Sequence, residues 1–214
     1  MRTFRAAIFD LDGTLLDSLG VWEKVDRVFL AKRGLACTPD YTAAVSAMNF
    51  NEAADYTIRR YGLREKPGEI IREWSGMVEG EYERNIALKP GAKEYLAALR
   101  GRGVRLGVAT ALSDRLLRAA LENNGVRGWF QAFASVFETP RGKGFPDVYL
   151  LAAKRLGEPP ESCTVFEDVP AGVRGAKAAG MAAVGVLDAR CTPGAERELR
   201  ALADRCIADF TELL

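Results

Sequence analysis

The sequence predicts an α/β protein, a parallel β-sheet core interrupted by an all-helical insert. Three observations predict it. Short apolar runs alternate with amphipathic helical patterns along most of the chain, a rhythm that builds right-handed βαβ units. The runs are almost continuously apolar, as strands covered on both faces must be. One stretch, from about residue 17 to 88, breaks the rhythm and holds helical patterns only.

The apolar runs lie at 6–9 (AAIF), 104–109 (VRLGVA), 132–137 (AFASVF), 163–166 (CTVF) and 182–187 (AAVGVL). Helices are expected between the later ones. Residues 91–100 follow Pro90 and stop at Gly101, and residues 114–123 follow Ser113, a good N-cap. Residues 147–156 follow Pro146 and stop at Gly157, and 171–179 follow Pro170 and stop at Gly180. Proline at the start and glycine at the end is the asymmetry helices favour. In the insert, Val21, Trp22, Val25, Val28 and Phe29 make an apolar stripe over 19–32. A second helix is expected near Pro39. A third follows Asn49, with Glu52 placed three residues on as in a capping box, and a fourth spans 68–84. The junctions are expected near 15–19 and 86–91.

Composition narrows the function. The chain has 214 residues, 48% hydrophobic and 28% charged, as in globular domains. A formal charge of +1 offers no field for nucleic acid. No apolar run approaches a membrane span, and the N-terminus "MRTFRAAIF" lacks the apolar region of a signal peptide. The expectation is a cytoplasmic monomer. Cys37, Cys163, Cys191 and Cys206 show no C-x-x-C spacing and read as free thiols. The chain contains no histidine, which argues against a zinc site and removes the usual general base. Acid–base chemistry falls to carboxylates, lysine or tyrosine.

The stretch "AAIFDLDGTLLDS" then stands out, with Asp10, Asp12 and Asp17 directly after an apolar strand. Thr110 follows a strand run in the same way, as do Glu167 and Asp168, and Lys143 lies in the loop after the 132–137 run. In open parallel sheets ligands bind past the C-terminal strand ends. Up to four carboxylates, from Asp10, Asp12, Glu167 and Asp168, would meet there and need a compensating cation. Oxygen ligands without His or Cys select a hard ion, and Mg²⁺ fits. Lys143 and the Thr110 hydroxyl suit a phosphate. An aspartate can serve as nucleophile in phosphoryl transfer, with a second carboxylate as acid and base. Gly13 lets the backbone turn just after Asp12. Asp17 with Ser18 reads as a helix cap at the junction. Trp74 and Tyr82 read as packing, and Lys24 and Arg27 as solvated.

These segments resemble the four motifs of the haloacid dehalogenase superfamily. "DLDGTLLDS" is similar to motif I with its D-x-D-G-T core intact, Thr110 in "GVATALS" to motif II, Lys143 in "RGKGFPD" to motif III, and Glu167–Asp168 in "FEDVPAGVRGAKAAGM" to motif IV. The likeness is to the subgroup with a helical cap after motif I, which includes β-phosphoglucomutase-like proteins and many small-molecule phosphatases. It implies a Rossmann-like parallel sheet core at 1–16 and 88–214 and an inserted all-helical cap domain at 17–87. It implies Asp10 as nucleophile and metal ligand. Asp12 becomes the general acid and base, with its carbonyl on the metal. Thr110 and the Ala111 N–H would bind the phosphoryl group, Lys143 would steady it, and Asp168 with Glu167 would complete the Mg²⁺ site. One departure is visible: Gly144 stands where a proline usually follows the lysine.

The resulting expectation is a Mg²⁺-dependent phosphatase of a small phosphorylated metabolite. A phosphosugar mutase is the alternative, weakened because the mutases of this likeness use a cap histidine. A dehalogenase is disfavoured by Asp12. A silent or receiver-like phospho-binding module is the alternative of another class. Receivers are about half this length and have no such insert.

Overall fold

The computed structural model describes residues 4–45 and 50–214. The chain divides into two compact units, Met1–Leu19 with Ile86–Leu214, and Gly20–Asn85.

The larger unit is an α/β sandwich. Its strands are β1 (Ala6–Phe9), β2 (Arg105–Thr110), β3 (Ala132–Ser135), β4 (Cys163–Glu167), β5 (Ala182–Val186) and β6 (Arg205–Ile207). They form one sheet in the order β3-β2-β1-β4-β5-β6, and every pair is parallel. β1 is central, with Phe9 paired to Val108 of β2 and to Phe166 of β4. The crossovers carry α5 (Ala92–Gly101), α6 (Asp114–Asn123), α7 (Asp147–Leu156), α8 (Pro170–Ala178) and α9 (Pro193–Leu202).

Alternation along the strands divides the core into two layers. Ala6 and Ile8 of β1 join Val165 and Ala183 on one face, against Val148, Tyr149 and Ala152 of α7 and Val173 and Ala176 of α8. On the other face Phe9 stacks on Phe166 at 4.5 Å between ring centroids, and Phe210 and Tyr95 of α5 close around Phe166 at 5.9 and 5.7 Å. Full burial of such side chains contributes about 1.5–3 kcal/mol each. The start of α5 needs Gly91 at φ 72°, because a Cβ there would lie 2.6 Å from the Thr211 amide nitrogen.

The sequence-predicted elements fall close to these limits. Ser113 caps α6, its hydroxyl accepting from the Leu116 N–H. The run expected as a strand over 132–137 is strand only to Ser135. There the Ser135 hydroxyl accepts from the Phe137 N–H and the chain tightens into a 3₁₀ turn over Val136–Glu138. α9 and β6 were not expected. α9 is amphipathic, but only Leu199 of it is buried, and β6 has three residues.

The smaller unit contains α1 (Val21–Ala31), α2 (Pro39–Val45), α3 (Phe50–Tyr61) and α4 (Pro67–Arg84). Val25, Phe29, Tyr41, Ile70, Trp74 and Val78 are buried, with Phe29 edge-on to Trp74 at 5.4 Å. The apolar stripe of α1 is narrower than its sequence suggests: Val21, Val25 and Phe29 are buried, but Trp22 and Val28 are 44% and 40% exposed. Trp22 sits in the first turn, and Val28 lies at the edge of the buried arc. Asp26 of α1 and Thr57 of α3 are buried polar residues in this unit. Burial first, then the Glu23 charge, pushes the Asp26 carboxyl up to about 6 against the lowering effect of the Tyr41 hydroxyl. The expected cap of α3 at Asn49 lies outside the described residues. At α4 the Lys66 N–H donates to the Glu69 carboxylate at 2.8 Å.

Short backbone bonds join the two segments of the larger unit that flank the inserted residues in sequence. The Asp17 N–H donates to the Ala87 carbonyl at 3.0 Å and the Lys89 N–H to the Leu15 carbonyl at 2.8 Å. The Lys89 ammonium then pairs with Asp188, just past β5, at 2.6 Å, with side chains only 6% and 11% exposed.

Candidate active site

β1 and β4 are neighbours, so the residues that follow them must meet. Asp10 continues the β1 ladder by one bond, its N–H donating to the Phe166 carbonyl at 3.0 Å, and its side chain is buried. Glu167 closes β4 and is fully buried, and Asp168 follows it. Beyond Asp10 the chain turns back through Gly13 at φ 76°, with the Leu16 N–H on the Leu11 carbonyl at 2.8 Å. The left-handed turn is needed twice over: a Cβ at Gly13 would collide with the Asp168 carboxylate.

The Thr14 hydroxyl reaches both Asp10 Oδ2 and Asp168 Oδ1, each at 3.2 Å. Lys143 Nζ bridges Asp10 Oδ1 and Glu167 Oε1, the latter at 2.8 Å. The Tyr149 hydroxyl donates to the same Glu167 oxygen at 2.9 Å. Thr110 ends β2, the strand on the other side of β1, and is buried, its Oγ1 accepting from the Leu112 N–H at 3.0 Å. Ala111 follows, exposed. Asp12 is half-buried in the turn after β1, where Ser18 Oγ donates to its Oδ1 at 2.7 Å. The structure thus brings Asp10, Glu167, Asp168 and Lys143 into one cluster. It sets Asp12 in the adjoining turn and Thr110 and Ala111 at the end of the adjacent strand.

Charge in this cluster is unbalanced. Burial first, then Asp10 and Glu167, pushes the Asp168 carboxyl up to about 8. Burial likewise raises Glu167, against the Lys143 charge. Burial would lower the Lys143 ammonium, but Asp10 and Glu167 outweigh it and hold it above its ordinary value. Tyr149 is pushed far above the phenol range by burial and then by the Glu167 charge, so it remains a donor. Three carboxylates facing one ammonium call for a further cation. Asp10, Glu167 and Asp168 each offer an oxygen within 4.8 Å of the others. A hard divalent ion such as Mg²⁺ fits that all-oxygen donor set.

The comparisons agree with this geometry. The family model of haloacid dehalogenase-like hydrolases matches residues 4–180. The chain belongs to that family. Similar proteins include hexitol phosphatase B of Escherichia coli, 31% identical over 99% of this chain and 95% of its own. Fructose-1-phosphate phosphatase of the same organism is 30% identical over 86% and 96%. Among solved structures, a HAD family hydrolase from Deinococcus radiodurans with bound phosphate and sodium is 27% identical, with a TM-score of 0.78 over 100% of this chain and 94% of that one. As a haloacid dehalogenase-like hydrolase the chain is an enzyme on the Rossmann-like fold, as its motifs imply.

Sequence reading missed three partners in this hydrolase. Thr14 lies inside the D-x-D-G-T segment but had no task. Ser18 was expected to cap a helix, yet α1 begins at Val21 after Gly20, without a side-chain cap, and Ser18 serves Asp12 instead. Asp17, the other half of that expectation, is exposed and pairs with Arg190 at 3.3 Å. Tyr149 sits in an apolar helical pattern and reads as core. Only its hydroxyl, which a core phenylalanine would lack, hints otherwise.

Proposed function

We propose that this hydrolase is a Mg²⁺-dependent phosphatase of a small phosphorylated metabolite, acting through an aspartyl-phosphate on Asp10. The observation that carries the reading is the buried Asp10 carboxylate, bridged by Lys143 and faced by Glu167 and Asp168 past the C-terminal edge of the sheet. Asp10, Glu167 and Asp168 would hold the ion with the Asp12 carbonyl. When bound, Mg²⁺ supplies positive charge beside the transferring phosphoryl group.

The chain's own groups supply the rest. Asp10 attacks phosphorus while Asp12 gives its proton to the departing ester oxygen, leaving an alcohol and the acyl phosphate. Water then attacks that phosphorus, Asp12 takes its proton, and Asp10 departs as a carboxylate, so the balance is ester plus water to alcohol plus phosphate. Ser18 orients Asp12. Thr110 and the Ala111 N–H receive phosphoryl oxygens, and Lys143 neutralises the charge that develops between them and Asp10.

The curated relatives act on hexitol phosphates and fructose-1-phosphate by their names, which supports a phosphorylated carbohydrate as the substrate class. Two similar solved structures named as β-phosphoglucomutase are 24% and 21% identical and carry the fold alone, and the chain has no histidine to time a second transfer. Phosphate release should be measured from a panel of hexitol phosphates, sugar phosphates, nucleotides and an aryl phosphate, with Mg²⁺ and with EDTA. Metal-dependent release favouring the carbohydrate esters is expected. Release that survives EDTA, or isomerised sugar phosphate in place of free phosphate, would refute the reading.

A further inference from the structure

We infer that Tyr149 is a positioning residue that holds Lys143 against Asp10 by fixing Glu167. In this family likeness the loop after the lysine usually gains stiffness from a proline, and here it has Gly144 instead. Something else must hold Lys143 in place, and the packing of α7 on α8 supplies it.

Glu167 Oε1 accepts from both the Tyr149 hydroxyl, at 2.9 Å, and Lys143 Nζ, at 2.8 Å. Its other oxygen meets the Val169 N–H at 3.5 Å, a weak bond. The tyrosine therefore makes the firm hydrogen bond to Glu167 that does not itself depend on the lysine. Without the hydroxyl, the carboxylate can rotate and take Lys143 with it, away from Asp10. The backbone of the lysine loop is seated against α8. α8 lies so close to this loop that a Cβ on Gly175 would collide with the Lys143 carbonyl and stand 2.7 Å from the Phe145 carbonyl and 2.8 Å from Tyr149 Cε2. One turn earlier, a Cβ on Gly172 would strike the Glu167 carboxylate. Two bare positions three residues apart share one face of α8. They let loop, ring and carboxylate pack against α8 together, with the Tyr149 ring beside Gly175 and its hydroxyl on Glu167. Tyr149 is fully buried, so its hydroxyl does not meet substrate from solvent. It acts through Glu167 and Lys143.

The test is Tyr149→Phe, which keeps the ring and removes one oxygen. Two readouts are taken: kcat and KM for phosphate-ester hydrolysis, and the acetylation rate of Lys143 by mass spectrometry against exposed Lys154. In the unsubstituted protein Lys143 should be acetylated far more slowly than Lys154. In Tyr149→Phe its rate should rise at least about fivefold, and kcat should fall about tenfold with KM within about twofold, the scale of one hydrogen bond to a charged group. Loss of packing alone would not split kcat from KM in this way. Unprotected Lys143 in the unsubstituted protein, or an unchanged Lys143 rate in the variant, overturns the inference. A raised rate with kcat unchanged overturns its bearing on turnover. The kinetic arm rests on the phosphatase reading and the labelling arm does not, so an unsubstituted protein inactive on every ester would sink that reading while the labelling still judges Tyr149.

Discussion

Breaking the buried pair between Lys89 and Asp188 should cost the fold more than removing it altogether. At 2.6 Å the attraction of the two charges is about 6 kcal/mol gross at an effective dielectric near 20. Most of that is offset by taking both groups out of water. Asp188→Ala leaves the Lys89 ammonium unpaired at a site where its side chain is only 6% exposed. A loss of about 3–5 kcal/mol is expected. The double variant Lys89→Met/Asp188→Leu leaves no buried charge and should lose less than about 1.5 kcal/mol. The assay is urea unfolding followed by far-UV circular dichroism at pH 7.5 for both single variants and the double. Acidity adds a second handle. Burial would raise the Asp188 carboxyl, but the Lys89 ammonium overrides it and holds the group below its ordinary value. The folded state thus binds that proton less readily than the unfolded one. The contribution is complete above the unfolded value of 3.8 and is lost as pH falls through the lower folded value. The reasoning is refuted if Asp188→Ala costs under about 1 kcal/mol, or if the double variant loses the sum of the singles.

Asp10→Asn should reduce ester hydrolysis to below a few per cent with an unchanged circular dichroism spectrum, and greater residual turnover would remove Asp10 as nucleophile. Ser18→Ala should loosen the hold on the Asp12 carboxylate, slowing alkyl phosphates about tenfold while aryl phosphates, which leave without a proton, stay near the starting rate. Equal losses would show that Ser18 does not act through Asp12. Asp26 carries its proton to about pH 6 when folded, against 3.8 ordinarily, so stability should fall as pH rises between those values and stay lower above them. The gap between those values sets a deficit of at most about 3 kcal/mol, and Asp26→Asn should melt higher than the unsubstituted protein at pH 7.5 but match it near pH 4. A lower melting temperature for the variant at pH 7.5 would contradict this.

The central strands and the helices between them were legible because burial on both faces forces uninterrupted apolar runs, and because proline and glycine mark the helix ends. The acidic residues were legible because a carboxylate directly after such a run has no packing reason to be there. The sheet's far edge was not. β6 has three residues, "RCI", and α9 buries little more than Leu199, so neither leaves a period long enough to read. Residues acting at one remove were also hidden. Ser18 looks like a cap because serine before a helix usually is one. Tyr149 looks like core because its ring is core, and only the fold reveals where its hydroxyl points. Lys89 and Asp188 lie 99 residues apart, and nothing local announces that they meet.

The pairing of Phe9 with Phe166 across β1 and β4 has a consequence for the distance between the acidic groups. Asp10 is one residue past Phe9, and Glu167 one past Phe166, so the backbone ladder itself acts as a ruler between them. Adjacent strands stand about 4.8 Å apart, and a strand can slip only in steps of about 3.3 Å that also turn every side chain to the opposite face. With Phe9 and Phe166 stacked beneath, such a step would drive two aromatic rings out of one layer. The gap between the two carboxylates' anchor points is therefore quantised. Surrounding helices can shift by fractions of an ångström, and the spacing of the two carboxylates' anchor points along the chain does not follow them.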